Sequence, residues 1–262
     1  MRLNKLEIIY EEHGPLARVR LNRPAKRNAL TRAMLERLAE IFAELDGRTD
    51  LRAVVLSGAG RDFCAGTDID ELKALDEAGA RAAAGRGQSV CDLLELCRVP
   101  VIAAVQGAAA GGGCELALSC HLSVAAADAR FSLPELRLGV IPGYGGTQRL
   151  ARAAGQGRAL GAMLAGDGLG ADEALRRGLV NRVAASGEAV SEAESLARQI
   201  AETAAPLAVR ACLEAVTRGA RLPLAEGLAL EAELFARLFS TEDVREGTRA
   251  FLEKRPPSFK GR

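Results

Sequence analysis

A single carboxylate lies inside a small, apolar and glycine-rich stretch of the chain. The stretch AAAGGGCELALSC covers residues 108–120, and its one acidic residue, Glu115, comes two positions after three successive glycines. Residues 113–119 are predicted to begin a helix, and the first N–H groups of a helix have no acceptor within it. The N–H of Gly112 could therefore bind an oxygen that gains negative charge, as in an oxyanion hole with Glu115 close by.

Both features also have a purely structural explanation. Glycines let a helix approach a sheet closely, and an acid in the first turn of a helix is favoured by the helix dipole. A nucleotide-phosphate loop is a poorer explanation, because neither GxxxxGK[ST] nor GxGxxG is present.

Two further stretches could contribute to the same chemistry. GRDFCAGTDIDEL, residues 60–72, follows a predicted strand, and Ala65-Gly66 lets the backbone turn sharply before a helix-like segment. It is the best candidate for a second oxyanion donor. In FSLPELRLGVIPGYGGTQRL, residues 131–150, Glu135 directly follows Pro134 and precedes an apolar run and a glycine-rich turn.

Short apolar runs alternate with helical patterns in the first half of the chain, which predicts an α/β core. Predicted strands cover residues 18–21, 53–56, 99–105, 122–125 and 129–132, and predicted helices cover residues 30–45 and 90–96. Helical patterns then occupy residues 172–177, 190–204, 207–218 and 224–239, and Ser240 or Thr241 could cap a last helix. We predict an α/β core over residues 1–190 and a helical region over residues 191–262, with no sharp linker between them.

Composition argues against several classes of function. The 262 residues carry a net charge of +1, with 3% aromatic residues and no tryptophan, which disfavours nucleic-acid and membrane partners. No apolar run reaches the ~18 residues of a membrane span, and no targeting segment is visible. Six cysteines and two histidines lack paired metal-ligand spacing, so we predict no metal site and buried reduced thiols in a cytoplasmic protein.

Five motifs together resemble the enoyl-CoA hydratase/isomerase (crotonase) family, in order and at about the right spacing. The resemblance extends from about residue 5 to residue 262. The motifs are NRPAKRNAL, FCAGTDIDEL, GAAAGGGCELALSC, LPELRLGVIPGYGGTQRL and FLEKRPPSFKGR.

The resemblance implies a fold, an assembly and a reaction. The fold would be a spiral of repeated β-β-α units with a C-terminal helical region, assembled as a homotrimer or a dimer of trimers. The substrate would be a coenzyme A thioester, and no separate cofactor is expected, because coenzyme A is part of the substrate. The thioester oxygen would accept hydrogen bonds from the N–H groups of Thr67 and Gly112, and Glu115 and Glu135 would be the two catalytic glutamates.

Family members bind coenzyme A through a basic loop, a backbone segment and the C-terminal motif. The matching residues here are Lys26, Arg27, Ala65, Asp68, Ile69, Phe251 and Lys254. Lys254 could reach the 3′-phosphate of the substrate in a neighbouring subunit. For Lys26 and Arg27 a solvated surface charge is an equally simple interpretation.

The chain departs from the family pattern near the acyl group. Thr67 stands where alanine is common, and its branched side chain could narrow the acyl site. Tyr144 stands in the PGxGG turn where a smaller residue is usual, so it is a candidate for shaping the acyl pocket or for packing alone. His121, where aspartate is frequent, is interpreted as structural.

Three functions are weighed. The resemblance favours an enoyl-CoA hydratase of fatty acid β-oxidation type, which adds water reversibly to a trans-2-enoyl-CoA. One alternative is a double-bond isomerase of the same family, which can work with one acid at the position of Glu135, so the presence of Glu115 argues against it. The other is a non-catalytic RNA-binding member, which the balanced charge disfavours.

Overall fold

A computed structural model describes residues 6–166 and 168–262 of the chain. Within them, the strands are β1 (Ile8–His13), β2 (Leu16–Leu21), β3 (Ala53–Gly58), β4 (Val101–Val105), β5 (Ala108–Ala110), β6 (Leu122–Ala126), β7 (Arg130–Ser132), β8 (Leu169–Gly170) and β9 (Arg182–Ala184).

These strands form a larger and a smaller sheet. The larger has the order β1-β2-β3-β4-β6-β9, in which β1 and β2 are antiparallel and every later pair is parallel. The smaller has the order β5-β7-β8, in which β5 and β7 are parallel. Parallel neighbours have their carboxyl ends at one edge of a sheet, so the loops that follow β3 and β4 begin side by side.

Helices cover both faces of the larger sheet and form the C-terminal part of the chain. They are α1 (Arg32–Asp46), α2 (Ile69–Leu72), α3 (Glu77–Glu95), α4 (Gly112–Ser119), α5 (Gly146–Ala154), α6 (Gln156–Leu164), α7 (Ala171–Arg176), α8 (Ala189–Thr203), α9 (Pro206–Gly219), α10 (Leu224–Leu238) and α11 (Glu242–Leu252). Short 3-10 helices lie at Pro24–Lys26 and Glu135–Leu138.

The larger sheet is buried on both faces, which explains why its central strands are almost entirely apolar. Val54 and Leu56 of β3 pack into the main core together with α1 and α3. Ala53 and Val55 point the other way and pack against α8. The parallel strands β4 and β6 share this arrangement and complete a rigid support for the loops at their carboxyl ends.

Helix α1 shows how local sequence determines an element here. The hydroxyl of Thr31 accepts a hydrogen bond from the N–H of Met34 at 3.2 Å and caps the helix. Six apolar side chains at helical spacing are buried on its inner face: Met34, Leu35, Leu38, Ile41, Phe42 and Leu45. Thr241 caps α11 in the same way through the N–H of Val244, which confirms one of the two predicted caps.

The predicted α/β core and C-terminal helices are confirmed, with differences at the element boundaries. Strand β1 was not predicted, because Glu11, Glu12 and His13 lie on the exposed part of an edge strand and break the apolar pattern. Helix α8 packs on the sheet and begins at Ala189, so the predicted division at residues 190–191 falls inside a helix. The separation into two domains stays a prediction.

His121 has a structural role, as expected. Its Nδ1 accepts a hydrogen bond from the N–H of Val101 at 3.0 Å, so the ring can donate from Nε2 to the carbonyl of Glu95, 3.1 Å away. Burial lowers the pKa of His121 to about 4, which keeps the ring neutral and able to accept from the strand. No helix in the described ranges is long and apolar enough to cross a membrane.

Candidate active site

Gly112 begins α4 at the place where the polypeptide leaves the two sheets. The preceding Gly111 has φ +51° and donates its N–H to the carbonyl of Ser132 at 2.9 Å. As the first residue of the helix, Gly112 has no intrahelical acceptor for its N–H. No hydrogen bond from this N–H is found among the residues that the structure describes. Gly112 therefore presents a backbone donor at the positive end of α4.

The loop after β3 brings a second free donor to the same place. Gly66, with φ +103°, lies against this turn: a Cβ atom built on it would come within 3.0 Å of the carbonyl oxygen of Ala110 and 3.6 Å of the nitrogen of Gly112. On either side of Thr67, the N–H of Leu30 donates to the carbonyl of Gly66 at 2.7 Å, and the carbonyl of Leu30 accepts from the N–H of Asp68 at 2.8 Å. The N–H of Thr67 has no acceptor within the described chain.

Asn28 holds this loop in place, and the sequence analysis did not assign it a role. It is completely buried, with a left-handed backbone at φ +57°. Its side-chain amide donates to the carbonyls of Ala59, Asp62 and Phe63 at 2.9, 2.8 and 3.2 Å, while its oxygen accepts from the N–H of Arg23 at 2.9 Å. Its position in NRPAKRNAL, where an asparagine can adopt positive φ, was the only available signal.

Glu115 points from the first turn of α4 towards the glycine-rich turn at residues 143–146. It is buried, and its Oε1 accepts hydrogen bonds from the N–H groups of Tyr144 at 2.8 Å and Gly146 at 2.7 Å. Burial raises the pKa of Glu115 above its usual range, and these two hydrogen bonds and the charge of Arg149 oppose the rise. The structure thus supplies partners that stabilise an ionised Glu115.

Glu135 reaches the glycine turn at the start of α4. It begins a 3-10 helix after Pro134, and its Oε1 lies 2.9 Å from the position that a Cβ atom would occupy on Gly111. Its Oε2 is buried with no hydrogen-bond partner in the described residues. Burial, helped by the charge of Glu115, raises the pKa of Glu135 to about 7. The structure therefore brings the two predicted glutamates together and favours one proton on Glu135.

Tyr144 contacts both residues that carry the backbone donors, Thr67 and Gly112. The two departures from the family pattern, Thr67 and Tyr144, are therefore in contact with each other. Their hydroxyl groups are hydrogen-bonded at 2.9 Å. The Tyr144 ring packs on Gly112, where an added Cβ would come within 2.8 Å of Cε2. On its other side the ring lies against Gly87 of α3, where an added Cβ would overlap it. The ring fills the space beside the free N–H of Gly112.

The residues predicted to bind coenzyme A at the loop lie next to this site. The Lys26 side chain is 62% exposed, and Arg27 forms an ion pair with Asp62 at 2.7 Å, so Arg27 already has a protein partner. Asp68 caps α2 through the N–H of Asp70. Ala65 donates its N–H to the carbonyl of Arg27, no donor to the Ala65 carbonyl is found in the described part of the chain, and Ile69 is exposed.

Phe251 and Lys254 lie at the end of α11, on the C-terminal helices. Phe251 is 83% exposed, and Lys254 has a left-handed backbone at φ +53° just after the helix. Neither the loop contacts nor these C-terminal contacts to coenzyme A are tested by the geometry, and they stay predictions. Nowhere in the described ranges do three His, Cys, Asp or Glu side chains form a group that could hold a metal ion.

Comparisons with known proteins agree with this geometry. A family model described as enoyl-CoA hydratase/isomerase matches residues 11–262. The chain is 42% identical over 256 residues to a short-chain-enoyl-CoA hydratase from Clostridium acetobutylicum, covering 97% of each chain. It is 39% identical over 253 residues to a crotonyl-CoA hydratase from Syntrophomonas wolfei, covering 96% of this chain and 97% of that one.

The fold is also similar to solved structures. A crystal structure of an enoyl-CoA hydratase from Bacillus anthracis matches with a TM-score of 0.93 at 37% identity, covering 98% of this chain and 100% of that one. This likeness confirms the predicted crotonase-like α/β fold with a C-terminal helical region.

Proposed function

The chain belongs to the enoyl-CoA hydratase/isomerase family, and on that premise we propose that it adds water reversibly to a trans-2-enoyl-CoA. The observation that carries the proposal is the approach of buried Glu115 and half-buried Glu135 to two backbone N–H groups, those of Thr67 and Gly112, that have no acceptor within the described residues. The names of the Clostridium and Syntrophomonas relatives support the same reaction.

The two backbone donors would bind the thioester oxygen. When water adds to the β-carbon, negative charge moves to this oxygen as an enolate. The N–H groups of Thr67 and Gly112 have no acceptor within the described residues and belong to a fixed backbone, so they would stabilise the developing charge without further reorganisation. Oxyanion donors of this kind contribute roughly 3 kcal/mol each to the transition state.

The two glutamates would divide the proton transfers. Glu115, ionised and held by the N–H groups of Tyr144 and Gly146, takes one proton from the attacking water. The hydroxide oxygen forms the new bond to the β-carbon. Glu135, whose raised pKa retains a proton, delivers it to the α-carbon. Glu115 gains one proton as Glu135 loses one, so the total charge of the two glutamates is unchanged. Proton exchange with solvent then returns Glu115 to its ionised form and Glu135 to its protonated form.

We further propose that the coenzyme A part lies along the segment formed by Ala65, Asp68 and Ile69, with Lys26 and Arg27 nearby. Assembly as a homotrimer or a dimer of trimers would bring Phe251 and Lys254 of one subunit towards the substrate of another. Large exposed apolar side chains on the C-terminal helices support such an assembly: Val216, Leu224, Leu228, Phe235, Phe239 and Phe251.

A direct assay tests the proposed function. Purified protein is mixed with crotonyl-CoA and its longer trans-2 homologues, and the loss of the enoyl-thioester ultraviolet absorbance is followed. A parallel series of 3-enoyl-CoA substrates scores isomerisation. We expect rapid hydration of short chains. Folded protein that hydrates no chain length, or that only isomerises, would refute the proposal.

Replacing Tyr144 should change the preferred acyl length. Tyr144→Ala removes the ring from between Gly87 and Gly112 and opens space beside the bound thioester. Each buried methylene contributes about 0.8 kcal/mol, so two more carbons are worth roughly a tenfold rise in the ratio of kcat/KM between hexenoyl-CoA and crotonyl-CoA. Tyr144→Phe keeps the ring and loses only the hydrogen bond to Thr67, so its ratio should stay near that of the wild type. Equal ratios in all three proteins would show that the ring does not limit the acyl pocket.

The rate of hydration should fall as pH rises through about 7. Hydration needs a proton on Glu135, and burial together with the charge of Glu115 places the pKa of Glu135 at about 7. Above that pH the proton is lost and kcat/KM declines. In Glu115→Gln the neighbouring charge is absent, so the decline seen in its residual activity should move to lower pH. A profile that stays flat well above pH 7 would contradict this assignment.

A further inference from the structure

Arg149 connects the catalytic turn to helix α3. Its side chain is 15% exposed and lies on the first turns of α5. Nη1 donates to the carbonyl of Tyr144 at 3.0 Å, Nε to Glu95 at 2.8 Å, and Nη2 to Asp92 at 2.8 Å. One planar guanidinium therefore joins two carboxylates of α3 to a main-chain oxygen of the turn.

That main-chain oxygen belongs to the residue that positions Glu115. Tyr144 accepts from Arg149 through its carbonyl and donates to Glu115 through its N–H at 2.8 Å. The next donor, the N–H of Gly146, lies at the start of the helix that carries Arg149. The direction of both N–H groups thus depends on how the turn is fixed, and Arg149 is the charged side chain that fixes it.

A second arginine stabilises the carboxylates that hold Arg149. Arg221, in the link between α9 and α10, lies 2.9 Å from Glu95 and 3.6 Å from Asp92. Burial of Glu95 would raise its pKa, but the hydrogen bonds from Arg221 and Arg149 outweigh burial and keep that pKa below its usual range. Two cations around Glu95 keep it ionised, so that it remains a strong acceptor for Arg149.

We propose that Arg149 is a positioning residue for hydration: it anchors the turn at residues 143–146 so that two main-chain N–H groups keep the Glu115 carboxyl group aimed at the attacking water. The inference rests on the proposed hydratase function. The hydrogen bonds of the Arg149 guanidinium go to the turn and to helix α3, so its contribution passes through the turn and through its charge.

Several charged or titratable groups influence Glu115 and must be considered in any pH experiment. Arg149 faces it from α5, Glu135 from the 3-10 helix and Tyr144 from the turn. Cys91 faces it from α3, and Cys114 is its neighbour on α4. Burial keeps the pKa of both thiols far above neutral, so neither ionises in the range of interest. Among these groups Arg149 is the cation that lowers the pKa of Glu115.

The test compares Arg149→Gln and Arg149→Lys with the wild type. Arg149→Gln should lower kcat for crotonyl-CoA by about 10- to 100-fold, the size expected for a misplaced catalytic group, with KM changed less than about threefold. The charge of Arg149 and the N–H groups that it fixes both favour ionised Glu115, and Arg149→Gln removes both effects. The pKa of Glu115 should therefore rise, and the acid limb of the kcat/KM profile of this variant should move to higher pH. Arg149→Lys retains the charge without the planar fork, so the limb should stay near its wild-type position while kcat remains reduced.

A matched control and an activity-independent readout decide the outcome. Arg152→Gln, on the exposed face of α5, should behave as the wild type. The titration of Glu115 is followed by ¹³C NMR of glutamate-labelled protein, with Glu115→Gln used for assignment, and its pKa should rise in Arg149→Gln. An unchanged titration and an unchanged kcat in Arg149→Gln would overturn the inference. Inactive wild-type protein would instead refute the proposed function, while the NMR titration would still test Arg149.

Discussion

Glu135→Gln is expected to lower the rate of hydration by about 10²- to 10⁴-fold, the usual contribution of a general acid–base group. Glutamine keeps the size of the side chain but cannot deliver a proton to the α-carbon. The variant should also lose exchange of substrate protons with solvent. Glu115→Gln should lose hydration to a similar extent but retain some exchange at the α- or γ-carbon, because Glu135 is still present.

Solvent-deuterium incorporation into the acyl chain separates the two variants. Glu40→Gln, on the exposed side of α1, serves as the matched control and should match the wild type. If Glu115→Gln lost exchange completely while Glu135→Gln retained it, the division of roles would be reversed. If both variants hydrated crotonyl-CoA at the wild-type rate, the two-carboxylate mechanism would be wrong for this chain.

Gly112→Pro is expected to lower kcat by about 10²- to 10³-fold, the effect of removing one oxyanion donor. Proline has no N–H, and the first position of a helix is where it disturbs the backbone least. The added side chain would also approach the Tyr144 ring, because even a Cβ at this position lies 2.8 Å from Cε2.

Gly112→Ala separates the steric effect from the loss of the donor. Alanine keeps the N–H and introduces the same close contact with Tyr144. The difference in kcat between the two variants therefore measures the contribution of the N–H group. Circular dichroism establishes that both variants fold. Equal activity in the alanine and proline variants would remove Gly112 from the oxyanion hole.

The sequence was sufficient to predict the strand and the helix that position Gly112 and Glu115. The strand at residues 99–105 and the helix after the glycines are local features, because apolar runs and glycines determine them within a few residues. The structure has β4 and α4 at these places. The helices of the C-terminal region are long and amphipathic, so their existence was predictable, and their ends differ from the predicted ends by at most one residue.

The contacts between distant segments could not be predicted from residue patterns. That Glu115 and Glu135 meet depends on the parallel pairing of β5 with β7, because the glycine turn follows β5 and Pro134 and Glu135 follow β7. From the sequence alone, Arg149 would be expected to be a solvated surface charge. Only the packing of α5 near α3 gives it Glu95 and Asp92 as partners. Asn28 was missed for the same reason, because its three carbonyl acceptors belong to a loop more than thirty residues away.

Because the ring of Tyr144 lies between Gly87 and Gly112, the effect of a substitution at position 87 depends on the residue at position 144. Any side chain at position 87 would overlap the ring, so Gly87→Ala is harmful while Tyr144 is present and becomes tolerable once residue 144 is small. The two substitutions are therefore epistatic, and their order matters. Laboratory evolution towards longer acyl chains should acquire its first change at position 144 and only later explore position 87, where a new side chain could line the enlarged pocket.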